Sequence, residues 1–123
     1  MKIESIVVDG SNQGEKYLVH INDLPVPLTR KSFMYFTRLA WFRQQENGWT
    51  WKEDLEQGFN QARYLYRMKN EIWGALGEKD WPVIENNRPG YYRLDAPPGV
   101  ISFNIDLLKQ HDHYQVRELF NKE

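Results

Sequence analysis

The sequence predicts an α+β fold in which a leading antiparallel sheet is followed by three helices and a C-terminal β-hairpin. Three observations support it: apolar runs separated by turn residues over residues 1–27, apolar residues at helical spacing over residues 29–73, and two strand-like runs around a Pro-Gly turn over residues 82–95. The chain has 123 residues, of which 41% are hydrophobic, and no cysteine. It is long enough to bury one core and carries no disulfide framework.

Three apolar runs predict the strands of the leading sheet: residues 3–8, 16–21 and 24–27. Turn residues separate them at positions 9–14 and at Asn22-Asp23. Pro25 and Pro27 suit an edge strand, because proline cannot donate a hydrogen bond to a neighbouring strand. We therefore expect a small antiparallel sheet with the last run at its edge.

Thr29 is expected to cap a first helix, because its hydroxyl can accept a hydrogen bond from a backbone amide of the first turn. Apolar residues then recur at helical spacing, at Phe33, Phe36, Leu39 and Ala40. Asn47-Gly48 is predicted to end this helix, with Gly48 in the left-handed conformation that commonly terminates helices.

Thr50 and Glu53 have the spacing of a capping box, in which each side chain satisfies an amide of the helix start. This predicts a short second helix that extends to about residue 57 and is ended by Gly58. A third helix is predicted over residues 60–72. Two helices joined by a tight turn, the second of them basic, form a helix-turn-helix pattern.

The third helix has two chemically distinct sides. At about 100° per residue, Leu65, Met68 and Ile72 share one side, while Arg63, Arg67 and Asn70 share the other and Asn60 lies near its edge. The apolar side is expected to pack on the core. The opposite side presents guanidinium and amide groups, which suit phosphates and the edges of purine bases.

The predicted hairpin runs over residues 82–87 and 91–94, with Arg88 at its bend. Residues 98–123 form a C-terminal extension, in which residues 100–103 are expected to be extended and residues 104–120 helical. The apolar side of that last helix carries Ile105, Leu108, Val116 and Leu119. This side must pack on the chain's own core or on a second copy, and we expect a homodimer through it.

The charge distribution separates a basic middle from an acidic remainder. The net charge is −1, but residues 28–70 hold eight Lys and Arg against four acids, which leaves +4 there and −5 elsewhere. Such a distribution permits local contact with phosphates together with modest non-specific affinity for nucleic acid.

Three stretches together resemble the winged helix-turn-helix output domain of OmpR/PhoB-type response regulators. They are Leu-Thr-Arg-Lys-Ser-Phe at residues 28–33, Tyr-Leu-Tyr-Arg-Met-Lys-Asn-Glu-Ile at residues 64–72, and Val-Ile-Glu-Asn-Asn-Arg-Pro-Gly-Tyr-Tyr-Arg-Leu at residues 83–94. The resemblance covers roughly residues 17–94. It implies a winged-helix domain over residues 1–97 with a three-helix core and a C-terminal wing.

The resemblance also implies a function, namely binding of double-stranded DNA by a small standalone transcriptional regulator. The helix at about residues 60–72 would enter the major groove, and the wing arginine, Arg88, would enter the minor groove. We expect no receiver domain. The wing glycines of the family are replaced by Pro89 and Tyr91. Residues 55–65 are shorter than the family segment that touches RNA polymerase, which argues against a direct polymerase contact.

The candidate DNA-binding residues share polar or aromatic side chains on the predicted helix starts, the third helix and the wing: Asn60, Arg63, Tyr66, Arg67, Asn70, Arg88, Thr50, Trp51 and Arg30. For Arg30 a plain surface charge is the competing interpretation. For Thr50 it is a helix cap, and for Trp51 a packing role.

Other function classes find little support. His111 and His113 would diverge at this spacing on a helix, so we expect no metal site, and no cofactor is implied. With three scattered histidines and no cysteine, we expect no catalytic constellation and no enzyme. No apolar run reaches transmembrane length, so we expect no membrane partner and a cytoplasmic location. The alternative function is a winged-helix protein-interaction or assembly module that does not bind DNA.

Overall fold

The computed structural model describes residues 1–45 and 47–121, and this part of the chain is an α+β structure. Its elements, in order, are β1 (Ile6–Gln13), β2 (Lys16–Ile21), β3 (Leu24–Thr29), α1 (Arg30–Arg43), β4 (Thr50–Trp51), α2 (Lys52–Leu55), α3 (Gln61–Leu76), β5 (Ile84–Arg88), β6 (Tyr91–Leu94), β7 (Ile101–Phe103), α4 (Ile105–Leu108) and α5 (Tyr114–Phe120). No helix in residues 1–45 or 47–121 has the length and apolar character needed to cross a membrane.

The first sheet has the strand order β3-β2-β1-β7. Strands β1, β2 and β3 are antiparallel, as predicted, and β3 with its two prolines lies at the edge. Strand β1 continues through most of the expected turn at residues 9–14, with a register shift between Val8 and Asn12. The turn at Asn22-Asp23 is confirmed, and both residues have positive φ angles of 50° and 67°.

Helix α1 is the central helix of the core. Every residue from Ser32 to Ala40 is buried, because the sheet, α3, β6 and α5 all pack against it. It starts directly after Thr29, as predicted, but the Thr29 side chain does not cap it. It ends at Arg43, so the predicted end at Asn47-Gly48 is wrong; Gly48 has its positive φ in the turn that follows.

The predicted capping box at Thr50 and Glu53 is also wrong. Thr50 and Trp51 form a strand that pairs with Tyr92 and Tyr91 of β6, and α2 is a single turn with Trp51 at its N-cap. The backbone of β6 supplies the hydrogen-bond partners for this segment, so long-range pairing overrides the local helix signal.

The predicted hairpin is confirmed as β5 and β6, which form a second sheet in the order β4-β6-β5. A register shift between Asn86 and Arg88 lets Arg88 lie opposite Tyr91, and Pro89-Gly90 forms the bend. Gly90 has a φ angle of +83°, and the ring of Trp51 packs directly against it. The tip of the hairpin is therefore held by the strand that precedes α2.

The predicted single helix over residues 104–120 is two short helices, α4 and α5. Between them the chain turns inward and buries His111 and His113. Leu108, Val116 and Leu119 pack in the chain's own core, whereas Ile105 is 50% exposed. Because β7 pairs in parallel with β1, the same extension also completes the first sheet. The homodimer stays a prediction, but most of the apolar side that suggested it is used within the chain.

Replacing Gly90 by alanine is expected to destabilise the protein by about 1–3 kcal/mol, since the new Cβ requires a left-handed backbone and meets the Trp51 ring. Urea unfolding of Gly90→Ala measures this cost. Gly14→Ala is the matched control, because Gly14 also has a positive φ angle, +68°, but a Cβ there meets nothing within 4 Å. Equal stability of the two variants would contradict the packing of Trp51 on the hairpin bend.

The buried histidines predict a loss of stability in mild acid. Burial, together with the nearby charges of Arg30 and His111, lowers the pKa of His113 to about 4, and burial also lowers the pKa of His111. The unfolded chain therefore binds more protons below pH ~6.5, so the free energy of unfolding falls as the pH drops from there, by roughly 3 kcal/mol for His113 alone at pH ~4.

Urea unfolding between pH 7 and 4 checks this expectation. His113→Asn keeps a side-chain acceptor for the amide of Gln115, which His113 caps in α5, but it cannot titrate. We expect this variant to lose part of the acid dependence, with the remainder due to His111 and, near pH ~4, to Asp9 and Asp112, whose pKa values are lowered by hydrogen bonds to their carboxylates. An acid dependence identical to that of the unmodified protein would show that His113 is not the responsible group.

Candidate functional site

Helix α3 exposes one continuous stripe, which carries two arginines, an asparagine, a tyrosine and a glycine. Its exposed members recur at helical spacing on the side away from the core: Arg63, Tyr66, Arg67, Asn70 and Gly74. Leu65, Met68 and Ile72 are buried on the opposite side, so the predicted orientation of this helix is confirmed. The helix is one turn longer than predicted and ends at Gly77, which has a positive φ and donates its N–H to the carbonyl of Trp73.

A single carboxylate of α3 binds both the end of β3 and the first turn of α1. Glu71 accepts hydrogen bonds from the backbone N–H of Thr29 at 2.8 Å and from the Thr29 hydroxyl at 2.9 Å. It also accepts one from the hydroxyl of Ser32 at 2.8 Å. The Thr29 hydroxyl was expected to cap α1; the structure instead uses it to bind α3.

The same carboxylate holds Arg67. The Nε of Arg67 donates to Glu71 at 3.1 Å, and the Arg67 side chain is 55% exposed. This bond uses one edge of the guanidinium and leaves its terminal amino groups available. Those groups are the ones that can donate two parallel hydrogen bonds to a guanine edge or a phosphate.

An open groove of about 590 Å³ runs along this stripe, between α3 and the ends of β2 and β3. Residues from three elements line it: Lys16, Thr29, Arg63, Tyr66, Arg67, Asn70 and Glu71. Four of these belong to the predicted site. Lys16, Thr29 and Glu71 were missed as site residues, because their contribution depends on long-range packing of β2, β3 and α3, for which the sequence contains no local signal.

The side chains that line the groove carry more positive than negative charges. It holds three cations against one carboxylate, and that carboxylate is already paired with Arg67. Within residues 1–45 and 47–121, neither Lys16 nor Arg63 forms an ion pair. The groove is therefore net positive, and two of its cations are available to a ligand.

The hairpin tip forms a second surface, which shares no lining residue with the groove. The guanidinium of Arg88 lies 3.9 Å from the centre of the Tyr91 ring, and Tyr91 in turn packs on Trp51 at 5.0 Å between ring centres. The side-chain amide of Asn86 donates to the carbonyls of Arg88 and Tyr91, which braces the bend. Arg88 is thus exposed but supported on one side.

The remaining predicted residues are dispersed. Asn60 is exposed just before α3, with a φ angle of 76° and no capping hydrogen bond. Thr50 is only 1% exposed, so its hydroxyl is removed from any surface site. Trp51 is half-buried under the hairpin bend. Arg30 is exposed and lies outside the groove lining; its charge acts instead on the C-terminal histidines, where it helps to lower the pKa of His113.

The Nδ1 atoms of both C-terminal histidines accept hydrogen bonds within the segment, whereas Nε2 of His111 is buried without a hydrogen-bond partner in the described part of the chain. Nδ1 of His111 accepts the backbone N–H of His113 at 3.0 Å, and Nδ1 of His113 accepts that of Gln115 at 3.2 Å. Across the described part of the chain, no three His, Asp or Glu side chains are grouped so that they could hold a metal ion.

One exposed residue was also missed by the sequence analysis. Phe59 is 89% exposed in the connection between α2 and α3, two residues before α3 begins at Gln61. Phe59 does not belong to the groove lining.

No known family model, curated protein or solved structure matches this chain. Its functional assignment therefore depends on the chemistry of the groove and of the hairpin tip.

Proposed function

We propose that this protein binds double-stranded DNA, with α3 in the major groove and the hairpin tip against the minor groove, as a small standalone transcriptional regulator. The observation that carries the proposal is the exposed stripe of α3. It presents Arg63, Arg67 and Asn70 on one rigid element whose opposite side is buried. Arginine and asparagine make the paired hydrogen bonds that read guanine and adenine edges.

The dimensions of α3 support this role. Its 16 residues span about 24 Å, and the major groove of B-DNA admits an α-helix. Helix α3 is anchored to Thr29 and Ser32 through Glu71, so its exposed side is held in one orientation before DNA arrives. Such preorganisation lowers the ordering cost of binding.

The order of the elements also supports a winged helix-turn-helix assignment. Three antiparallel strands, a buried helix, the two-residue strand β4, two further helices and a hairpin follow one another. Apart from β4, this is the order that the resemblance to OmpR/PhoB-type output domains implies. In this assignment α3 is the recognition helix and β5–β6 is the wing.

The ring contacts of Arg88 support its proposed insertion into the minor groove. Arg88 rests on Tyr91, which rests on Trp51, and the bend below it is braced by Asn86. A guanidinium held in this way can enter a narrow A·T-rich minor groove, where the negative potential is concentrated.

The alternative function, a protein-interaction module, is favoured by two exposed aromatic rings, one on α3 and one in the connection before it. Phe59 is 89% exposed and Tyr66 is 62% exposed, and aromatic residues are enriched in the cores of protein interfaces. A second observation in its favour is that acids accompany both arginine surfaces: Glu71 pairs with Arg67, and Glu85 pairs with Arg93 of the hairpin. Failure of the unmodified protein to bind any duplex at low salt would favour this alternative.

Arg63→Ala and Arg67→Ala are each expected to weaken duplex binding. If an arginine reads a guanine edge, its loss should cost about 1–3 kcal/mol and relax specificity at one base position. If it contacts only phosphate, the loss should be similar for all sequences. Fluorescence anisotropy with duplexes selected from a random pool distinguishes the two cases.

Lys109→Ala serves as the control for these arginine variants, since Lys109 is an exposed cation that does not line the groove. It should bind duplex as the unmodified protein does. If both arginine variants also retained full affinity, α3 would not be the recognition helix.

Arg88→Ala is expected to weaken binding most on duplexes with A·T-rich flanks, because a narrow minor groove attracts the guanidinium most strongly. Its unfolding midpoint should remain close to that of the unmodified protein. Paired binding assays with A·T-rich and G·C-rich flanks test this. Equal losses on both would make Arg88 a phosphate contact, and no loss on either would leave the hairpin without a role in DNA binding.

A further inference from the structure

The groove beside α3 contains a cation that the recognition-helix proposal does not use. Lys16 is the first residue of β2 and lies opposite Thr29, the last residue of β3. Thr29 is bound to Glu71 of α3. This chain of contacts brings the end of the first sheet alongside the exposed stripe, so that Lys16 and Arg63 line the same groove from two different elements.

Lys16 and Arg63 differ from Arg67 in that Arg67 is paired with a carboxylate and they, among the described residues, are not. Arg67 is paired with Glu71, whose carboxylate also accepts hydrogen bonds from Thr29 and Ser32. The carboxylate of Glu71 is therefore already occupied by hydrogen-bond donors within the protein. Lys16 and Arg63 form no ion pair with any residue in the described ranges, so each retains its charge for a ligand.

The two unpaired cations of the groove have the chemistry to bind a phosphate group. A lysine supplies a compact positive charge, and an arginine supplies a planar set of donors that matches phosphate oxygens. The groove is open rather than enclosed, and Tyr66 adds an exposed aromatic ring to the same lining. An anion held between the two cations would have access from solvent without rearrangement of the core.

We propose that Lys16 and Arg63 together bind one phosphate group, and that in the DNA complex this phosphate belongs to the strand bordering the major groove that α3 enters. The assignment of this phosphate to DNA rests on the proposed function, whereas the phosphate site itself does not depend on it. This contact extends the DNA footprint from α3 to the leading sheet and fixes the position of the helix along the groove.

The test uses the full chain and a labelled 20-base-pair duplex of random sequence, with affinity measured over a series of salt concentrations. Lys16→Gln should lower the affinity about three- to tenfold in low salt and reduce the slope of log affinity against log salt by about one, because one phosphate contact is lost. Lys16→Arg should retain both values. Lys109→Gln should behave as the unmodified protein, and all three variants should keep the unmodified thermal midpoint.

A double variant tests whether the two cations share one phosphate. Residues that act on the same group are non-additive, so Lys16→Gln in the Arg63→Ala background should lower affinity by much less than it does in the unmodified protein. Full additivity would overturn the shared site. An affinity and a salt slope of Lys16→Gln equal to those of Lys109→Gln would overturn the contact itself, while duplex binding by the unmodified protein would leave the proposed function standing.

A second measurement separates failure of this site from failure of DNA binding. If the unmodified protein binds no duplex at low salt, the proposed function fails, and titration with inorganic phosphate and with adenosine monophosphate is followed by two-dimensional NMR. Amide shifts confined to residues around Lys16, Arg63 and Tyr66, and abolished by Lys16→Gln, would retain the groove as a site for a free phosphate compound. Absence of such shifts would overturn it.

Discussion

The hydrogen bonds of Glu71 are the constraint on which the functional surface depends. A carboxylate that accepts from the amide and hydroxyl of Thr29 and from the hydroxyl of Ser32 joins the middle of α3 to the start of α1. Charge-assisted hydrogen bonds of this kind are stronger than neutral ones and are directional. Because α1 is buried along most of its length, these hydrogen bonds connect α3 to the core of the protein. Rotation of α3 about its own axis would break them.

Glu71 has two roles, because it holds α3 in place and also orients a candidate DNA-binding arginine. Glu71 needs Thr29 and Ser32 to hold α3, and it uses its remaining capacity to orient Arg67. A like-sized neutral residue could pack in the same place but could not hold the guanidinium by charge. The groove consequently combines one restrained arginine, Arg67, with two unpaired cations, Lys16 and Arg63. A restrained guanidinium favours recognition of a base edge by geometry, while unpaired cations favour affinity for phosphate.

A second constraint acts at the hairpin. Trp51 packs against Gly90 and Tyr91, so the strand before α2 determines where the tip lies. The C-terminal segment acts elsewhere: β7 pairs with β1, and Arg38 of α1 donates to the carbonyl of Gln115 and to Glu118 of α5. These contacts use the extension to cover the core on the side of α5, and the stripe of α3 remains exposed.

What the sequence determined by itself was the character of its periodic elements. The two sides of α3 follow from residues three and four positions apart, which are neighbours on any helix, so burial of Leu65, Met68 and Ile72 and exposure of Arg63 were predictable. The edge position of β3 and the hairpin bend followed from proline and glycine in the same local way. These signals need no knowledge of distant segments.

Tertiary structure decided the rest, because the competing partners lie far away in the chain. Thr50 had the pattern of a helix cap, but pairing with Tyr92 made it a strand residue. Thr29 was expected to cap α1, but Glu71, 42 positions away, took its hydroxyl. The predicted last helix is interrupted between α4 and α5, where His111 and His113 are buried. The groove itself joins Lys16 to Arg63 through β3 and α3, and a site assembled from separate elements exists only once those elements have packed.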